Sequence, residues 1–305
     1  MTPNLKEHLM NAELTLKDRL YRGMARYMEK PTLANVPWHK ALRVLFATSA
    51  LSGGKKPRGT QVESDGRDGL MITPPGVGPE APLLFYIHGG GFTIGSPRTH
   101  LALASHVAKA AGMRMHMPGY PLAPENPFPA APDAILAAYR AHCDAGDPPA
   151  AIGGDSAGGN LALGTVMAAR DAGLPLPRAI ALIAPALDLT GDVGARADEA
   201  TEEYLIPAAW AQRIFDAYLD GADPTDPRLS PLKGDLAGLP PIMVQANDGE
   251  ALAPDARALA ARLPETRLDL WHGLQHVWHL RAGATPAATR ACAELGAWIK
   301  ETAAA

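Results

Sequence analysis

Gly154-Asp155-Ser156-Ala157-Gly158 reads G-x-S-x-G where a short apolar run, Ala150-Ala151-Ile152-Gly153, gives way to the helix-prone Asn160-Leu161-Ala162-Leu163. Between a strand and a helix, this pattern holds a serine hydroxyl on a strained turn, exposed as a nucleophile. Glycine is needed around such a serine because a Cβ would collide with the neighbouring strand and helix. Gly154, Gly158 and Gly159 supply that room. Upstream, His88-Gly89-Gly90-Gly91-Phe92 follows the apolar run Leu83–Ile87. Three residues without side chains just past a strand end can bring backbone N–H groups close to a ligand oxygen. In acyl transfer such donors must meet the oxygen that becomes anionic, and each is worth about 3–4 kcal/mol in the transition state. A serine hydroxyl also needs a histidine to take its proton and an acid to orient that histidine. The histidines after Ser156 are His272, His276 and His279. The nearby acids are Asp248, Glu250 and Asp255.

The elements that must position these groups are legible from hydrophobic patterning. Short apolar runs predict strands at Leu83–His88, Met113–Met117, Ala150–Gly153, Ala179–Ala184, Ile242–Ala246 and Arg267–Trp271. Between and after them, helical patterns cover Leu101–Ala111, Ala131–His142, Leu161–Ala172, Ala208–Leu219, Pro254–Leu263 and Thr285–Ile299. This alternation implies an α/β protein with a mostly parallel sheet covered on both faces. Thr60–Val62 and Leu70–Ile72 suggest an antiparallel hairpin, joined through the Asp-Gly pairs of residues 64–69. Two segments depart from the alternation. In residues 1 to about 50, Leu5, Leu9, Leu16, Leu20, Met24 and Tyr27 recur near helical spacing, which predicts amphipathic helices lying on the body of the protein. In residues 189–220 a polar, acidic stretch precedes Trp210, Ile214, Phe215 and Tyr218 on one helical face. Both segments are expected to form a cap over the strand ends, with the core spanning about 55–188 and 221–305 of a single domain. Peripheral helices unrelated to the site are the plainer alternative.

With these residues in place, the chain resembles the bacterial hormone-sensitive-lipase-like esterases of the α/β-hydrolase fold. That family carries H-G-G-G before the nucleophile, then Y-R-L-A-P-E, then G-D-S-A-G-G. Here they read His88–Gly91, Tyr120-Pro121-Leu122-Ala123-Pro124-Glu125 and Gly154–Gly159. The likeness extends through residues 126–131, 223–232 and 239–241. Pro121 departs from the family's usual arginine, which is expected to alter a local salt-bridge arrangement. The resemblance implies an α/β-hydrolase fold with a helical cap, Ser156 as nucleophile, and backbone N–H groups of Gly90, Gly91 and Ala157 as oxyanion donors. Its G-x-x-H-x-W pattern matches Gly273–Trp278 and implies His276 as the base; His272 and His279 are expected to meet solvent or the cap. One branch of the family uses Glu-x-L-x-x-Asp after the preceding strand, which Glu250-Ala251-Leu252 and Asp255 match, implying Glu250 as the acid. Asp248, nearer the strand end, is the alternative, and its plainer role is to form a turn before Gly249. Phe92 and Trp210 are candidates to line the substrate pocket or, equally, to pack the cap.

Composition limits the remaining classes. The 305 residues are 47% hydrophobic and 20% charged, with a formal net charge of -4, so the chain can bury a large core, and its overall charge gives no electrostatic case for nucleic acid or an anionic membrane as partner. Lys6, Glu7, Lys17, Asp18 and Arg19 interrupt any signal-peptide core, and no run is long enough to span a bilayer, so a cytoplasmic location is expected. Cys143 and Cys292 are expected as free thiols. His272-x-x-x-His276 lacks the glutamate of a zincin motif, and no G-x-G-x-x-G follows the first core strand, so neither metal nor another cofactor is implied. A chymotrypsin-like protease would place its histidine and acid before a late serine. The expected activity is cleavage of short- to medium-chain acyl esters through an acyl-enzyme. Lactone or amide hydrolysis, and a non-catalytic small-molecule-binding protein on the same fold, are the alternatives. The resemblance also allows a homodimer through a sheet edge.

Overall fold

The structure, a computed structural model, describes residues 7–10, 13–51 and 53–304. Leu5 of the expected apolar stripe lies outside them. The strands are β1 (Glu7–Met10), β2 (Gln61–Ser64), β3 (Leu70–Thr73), β4 (Leu83–Ile87), β5 (Arg114–Met117), β6 (Ala151–Asp155), β7 (Ala179–Ile183), β8 (Ile242–Asn247) and β9 (Arg267–Trp271). They form one sheet in the order β1-β9-β8-β7-β6-β4-β5-β3-β2. Among the described residues only the β2–β3 and β3–β5 pairs are antiparallel; β2 and β3 form the expected hairpin, with Val62 opposite Ile72. In its loop, Asp65 Oδ1 accepts from the N–H groups of Arg67 and Gly69 and pins the turn.

The helices are α1 (Leu16–Met24), α2 (Lys30–Asn35), α3 (His39–Leu51), α4 (Leu101–Ala111), α5 (Ala130–Asp144), α6 (Ala157–Asp171), α7 (Val193–Glu199), α8 (Ala208–Leu219), α9 (Ala253–Arg262) and α10 (Pro286–Ala304). Because side chains alternate across a strand, β4 serves two cores. Leu84 and Tyr86 pack with Met115 against Leu103 and Val107 of α4 and Leu295 and Ile299 of α10. Phe85 and Ile87 pack with Ile152 and Ile180 against α5, α6 and α9. Leu84 and Phe85 are fully buried, and each such side chain contributes about 1.5–3 kcal/mol of apolar transfer. This double cover fixes the strand ends that carry the candidate site.

Three differences from the expected elements have physical causes. Helix α6 starts at Ala157 rather than Leu161. The low helix propensity of Gly158 and Gly159 hides that first turn, and packing overrides it. Leu9 belongs not to a helix but to β1, a parallel edge strand on β9. Its four residues are largely exposed and carry no alternating pattern, so only the partner strand defines it. Finally, α1 is turned over relative to expectation: Asp18 is buried while Leu16 and Leu20 are exposed. Thr15 and Asp18 form a capping box, and Asp18 Oδ1 accepts from the Ala287 N–H at 3.3 Å, which draws the polar side of the helix inward. A turn of π-helix at Ala25–Glu29 joins α1 to α2. The stretch expected to be merely polar, residues 191–203, contains α7, capped by Asp192 Oδ1 on the Ala195 N–H at 2.8 Å. No described helix is long and apolar enough to cross a membrane.

Gly158 is packed tightly against backbone, where a Cβ would press into the carbonyl oxygens of Ile87 and His88. Gly158→Ala is therefore expected to destabilise the protein by about 1–3 kcal/mol, as overpacked sites do. Urea unfolding curves measure this, with Gly164→Ala, which meets open space, as a neutral control.

Candidate active site

Ser156 sits between the last residue of β6 and the first of α6, at φ 53 and ψ -120. Positive φ is costly for any residue but glycine and persists only when the surroundings over-determine it. Here they do. The Ser156 N–H donates to Ile183 O of β7 at 2.8 Å, a Cβ on Gly154 would meet the Gly158 carbonyl, and one on Gly159 would meet Pro185. Ala157 is the first residue of α6, where a helix leaves its amide N–H groups without intrahelical acceptors. The glycine loop approaches from the end of β4. Gly90 (φ 118) and Gly91 (φ 57) adopt conformations that suit glycine, and side chains there would meet Ile94 and Ile214. Tyr120 donates its hydroxyl to His88 O at 2.9 Å and stacks on the His88 ring, bracing the loop. Burial, with His100 nearby, pushes His88 down to about 3, so it is a neutral structural imidazole.

His276 lies in the loop after β9, with Glu250 in the loop after β8. Their side chains meet: His276 Nδ1 is 2.6 Å from Glu250 Oε2. Glu250 Oε1 accepts from the Asn247 N–H at 2.9 Å, which fixes the carboxylate. His276 Nε2 is buried and has no hydrogen-bond partner among the described residues. Asp248 is turned elsewhere, paired with Arg257 and 3.6 Å from His272 Nδ1. Asp255, which completes the Glu-x-L-x-x-Asp spacing, does not approach the histidine either. It accepts from the N–H groups of Leu187 and Asp188 and pairs with Arg196 of α7 at 2.7 Å, so it ties α7 to α9. His272 is about half exposed, as expected. His279 is not: it is fully buried, with Nε2 2.8 Å from Gln245 Oε1 of β8. Burial pushes it down to about 3, a core position that loop patterning does not reveal.

Electrostatics around His276 favour its cation. Burial alone would lower its pKa, but the Glu250 carboxylate, helped by Glu203 and Asp155, outweighs burial and holds it above the ordinary value. Asp155 stays ionised despite complete burial, because His100 Nε2 at 3.2 Å and the Tyr86 hydroxyl at 3.1 Å hydrogen-bond it. Glu203 was not singled out in the sequence; a glutamate in an acidic stretch reads as solvated surface. It is buried instead, accepting from the N–H groups of Leu205, Ile206 and Ala251 at 2.8, 2.7 and 3.1 Å, and burial pushes its carboxyl up. Glu202 accepts from the Gly273 N–H at 2.7 Å and donates its own N–H to Gly249 O at 2.9 Å. The pair Glu202-Glu203 thus stitches residues 202–206 to the loops bearing both Glu250 and His276. Lys30 donates to Glu203 O and Arg22 to Gly273 O, bringing the N-terminal helices to the same junction.

Ser156 and His276 line a cavity of about 370 Å³ whose apolar wall includes Met24, Met28, Leu33, Leu42, Leu45 and Phe46. A second cavity of about 50 Å³ also reaches Ser156, walled by Phe92, Ile214 and Tyr218. Trp210 borders both. Phe92 is buried and stacks on Tyr218 with ring centroids 3.7 Å apart, so it packs against α8 as well as lining the smaller cavity. A glycine-braced loop, a strained serine and a carboxylate-held histidine around one apolar cavity can support nucleophilic acyl transfer.

An α/β-hydrolase fold family model matches residues 84–280. An acetyl-hydrolase of Streptomyces hygroscopicus is 40% identical over 224 residues, covering 71% of this chain and 75% of its own. An esterase of Acinetobacter venetianus is 34% identical, covering 70% and 73%. The crystal structure of an esterase from the bacterial hormone-sensitive lipase family superposes with a TM-score of 0.85 at 34% identity, over 96% of this chain and all of that one. The chain belongs to that esterase family. Glu125 is paired by Arg43 of α3 at 2.6 Å, and the same guanidinium donates to Thr93 O and Ala123 O at 2.8 Å each. Arg43, fifty positions before Thr93, therefore ties the N-terminal helices of this esterase to the end of its glycine loop.

Two measurements follow from the site's geometry. Glu250→Gln should lower kcat by about 10⁴-fold, as loss of a histidine-orienting acid does, while Asp248→Asn stays near wild type; the reverse pattern would move the acid to Asp248. A histidine acting as base must be neutral, so its raised pKa places the acidic limb of the kcat/KM profile above the ordinary histidine value, near 6.5. Glu203→Gln removes one anion and should shift that limb to lower pH.

Proposed function

We propose that this esterase cleaves short- to medium-chain acyl esters through an acyl-enzyme, with Ser156 as nucleophile, His276 as base and Glu250 as the orienting acid. The observation that carries the reading is the 2.6 Å contact between His276 Nδ1 and Glu250 Oε2, with Nε2 left unpartnered on the cavity that Ser156 also lines. In this reading Ser156 Oγ attacks the ester carbonyl carbon as His276 Nε2 takes the hydroxyl proton. The resulting oxyanion is received by the N–H groups of Gly90, Gly91 and Ala157. The intermediate collapses, the alkoxide leaves with the proton from His276, and water activated by the same histidine releases the acid and restores the serine. Glu250 keeps Nδ1 protonated and stabilises the transient imidazolium.

Two unequal cavities meeting at Ser156, of about 50 and 370 Å³, suit an ester with one small and one bulky apolar side. Phe92 and Trp210 line the smaller one in this reading. The Streptomyces relative is named an acetyl-hydrolase, and a structural neighbour with a TM-score of 0.84 at 30% identity was soaked with p-nitrophenyl butyrate, which supports the short-acyl preference. We read residues 1–50 and 189–220 as the cap, which Arg213 ties together by donating to carbonyls of Leu33, Ala34 and Val36. A cytoplasmic location and a homodimer paired through an edge of the sheet complete the reading.

Ser156→Ala is expected to abolish turnover of p-nitrophenyl esters while leaving the circular dichroism spectrum unchanged. Turnover near wild type in that variant would refute the acyl-enzyme. Across an acyl series, kcat/KM should peak among the short chains and fall for decanoate and longer. A folded wild-type protein inactive on every chain length would favour the binding-protein alternative.

A further inference from the structure

The outer face of the N-terminal helices is apolar where a folded protein should be polar. Leu16 is 84% exposed, Leu20 61%, Tyr27 73%, Met28 62% and Trp38 72%. Every large hydrophobic side chain counted as exposed among the described residues falls between Leu9 and Leu45. Leu16 and Leu20 lie one turn apart on the same side of α1, opposite the buried Asp18. Scattered exposed hydrophobics need no explanation, but a concentration of them on one segment marks an interaction site.

Two observations say what covers it. The first is charge: residues 13–51 carry seven Lys and Arg against three Asp and Glu, in a chain whose net charge is -4. Arg22, Lys30 and Arg43 bond inward, whereas Lys17, Arg19, Arg26 and Lys40 are exposed beside the apolar side chains, with Glu13 the one exposed acid of the stretch. The second is continuity. Met28 and Leu45 belong both to this exposed surface and to the wall of the 370 Å³ cavity, so the apolar face runs into the site.

We propose that this face docks on an anionic amphiphile surface, a lipid bilayer or micelle, with Leu16, Leu20, Tyr27, Met28 and Trp38 in the interface and Lys17, Arg19 and Arg26 against its headgroups. Helices with apolar and basic faces lie in an interface this way, their binding strengthened by anionic lipid. A second copy of the chain is a poorer occupant. An isologous pair would set the same basic cluster against itself, and it would cover the mouth of the cavity. Docking on an amphiphile instead opens the cavity toward a phase in which apolar esters dissolve. The delivery of substrate rests on the esterase reading above; the docking does not.

The test uses the full chain carrying Ser156→Ala, so that no lipid is consumed, with vesicles of phosphatidylglycerol or of phosphatidylcholine. Trp38 is the one exposed tryptophan of five, so binding should shift emission to the blue, and Trp38→Phe should remove the shift. Co-sedimentation is expected with phosphatidylglycerol vesicles, weakened by salt. It should fall at least about tenfold in Leu16→Ser/Leu20→Ser and in Lys17→Glu/Arg19→Glu. In the active background, both double variants should hydrolyse dissolved p-nitrophenyl acetate like the parent, showing that the fold and site are intact. The proposal is overturned if the parent fails to sediment with anionic vesicles, if phosphatidylcholine binds it equally, or if the apolar double variant converts a dimer to a monomer in sedimentation velocity. Loss of ester hydrolysis with vesicle binding intact would count against the function and not against the docking.

Discussion

The backbone of Ser156 is held in a left-handed conformation because α6 must leave β6 so sharply that Gly158 lies against the carbonyl oxygens of Ile87 and His88. Much else depends on that contact. It sets the start of α6 beside the end of β4, so the serine and the glycine loop issue from neighbouring strand ends. It buries Asp155 at full charge, and His100 and Tyr86 must then be placed to hold that carboxylate. The strain is tolerated because β6 is a central strand with paired neighbours on both sides. A packed, double-covered sheet does not relax at a single point.

The histidine and its carboxylate sit on two loops that leave the paired strands β8 and β9. Their registry comes from Glu202-Glu203, a polar splice that satisfies backbone N–H groups on both loops. A buried carboxylate with three amide donors is well solvated by the protein, so it keeps its place in spite of the desolvation cost. It also adds to the negative field around His276. A segment that lines the apolar cavity through Leu205 therefore also steadies the polar groups at its floor, which couples the shape of the cavity to the position of His276.

Much of the core was legible in advance because it is built from local patterns. Continuous apolar runs such as Leu83–Ile87 and Ile242–Ala246 mark strands covered on both faces, and each lies within a residue of the observed element. The N-terminal region was misread where one pattern served two environments. The Leu16–Leu20 spacing is that of an amphipathic helix, but periodicity states only that one face is apolar, and here that face looks outward. β1 and α7 had no pattern of their own to read. Each is defined by what it touches: β9 for the strand, and the Arg196–Asp255 pair together with buried Gly194 and Ala197 for the helix.

The sequence by itself determined the chemistry-bearing serine turn, the glycine loop, the α/β architecture and the short list of histidines and acids, because each depends on residue type and local spacing. Residue type and local spacing alone left Asp248 open beside Glu250, which the family resemblance favoured, because the two lie two positions apart and differ only in where a loop aims them. Tertiary structure brought Glu250 to His276, sent Asp248 to Arg257 and Asp255 to Arg196, and recruited Glu203 and Arg43 from distant segments. Hydrogen-bond direction and burial are properties of the assembled loops, and no periodicity along the chain encodes them.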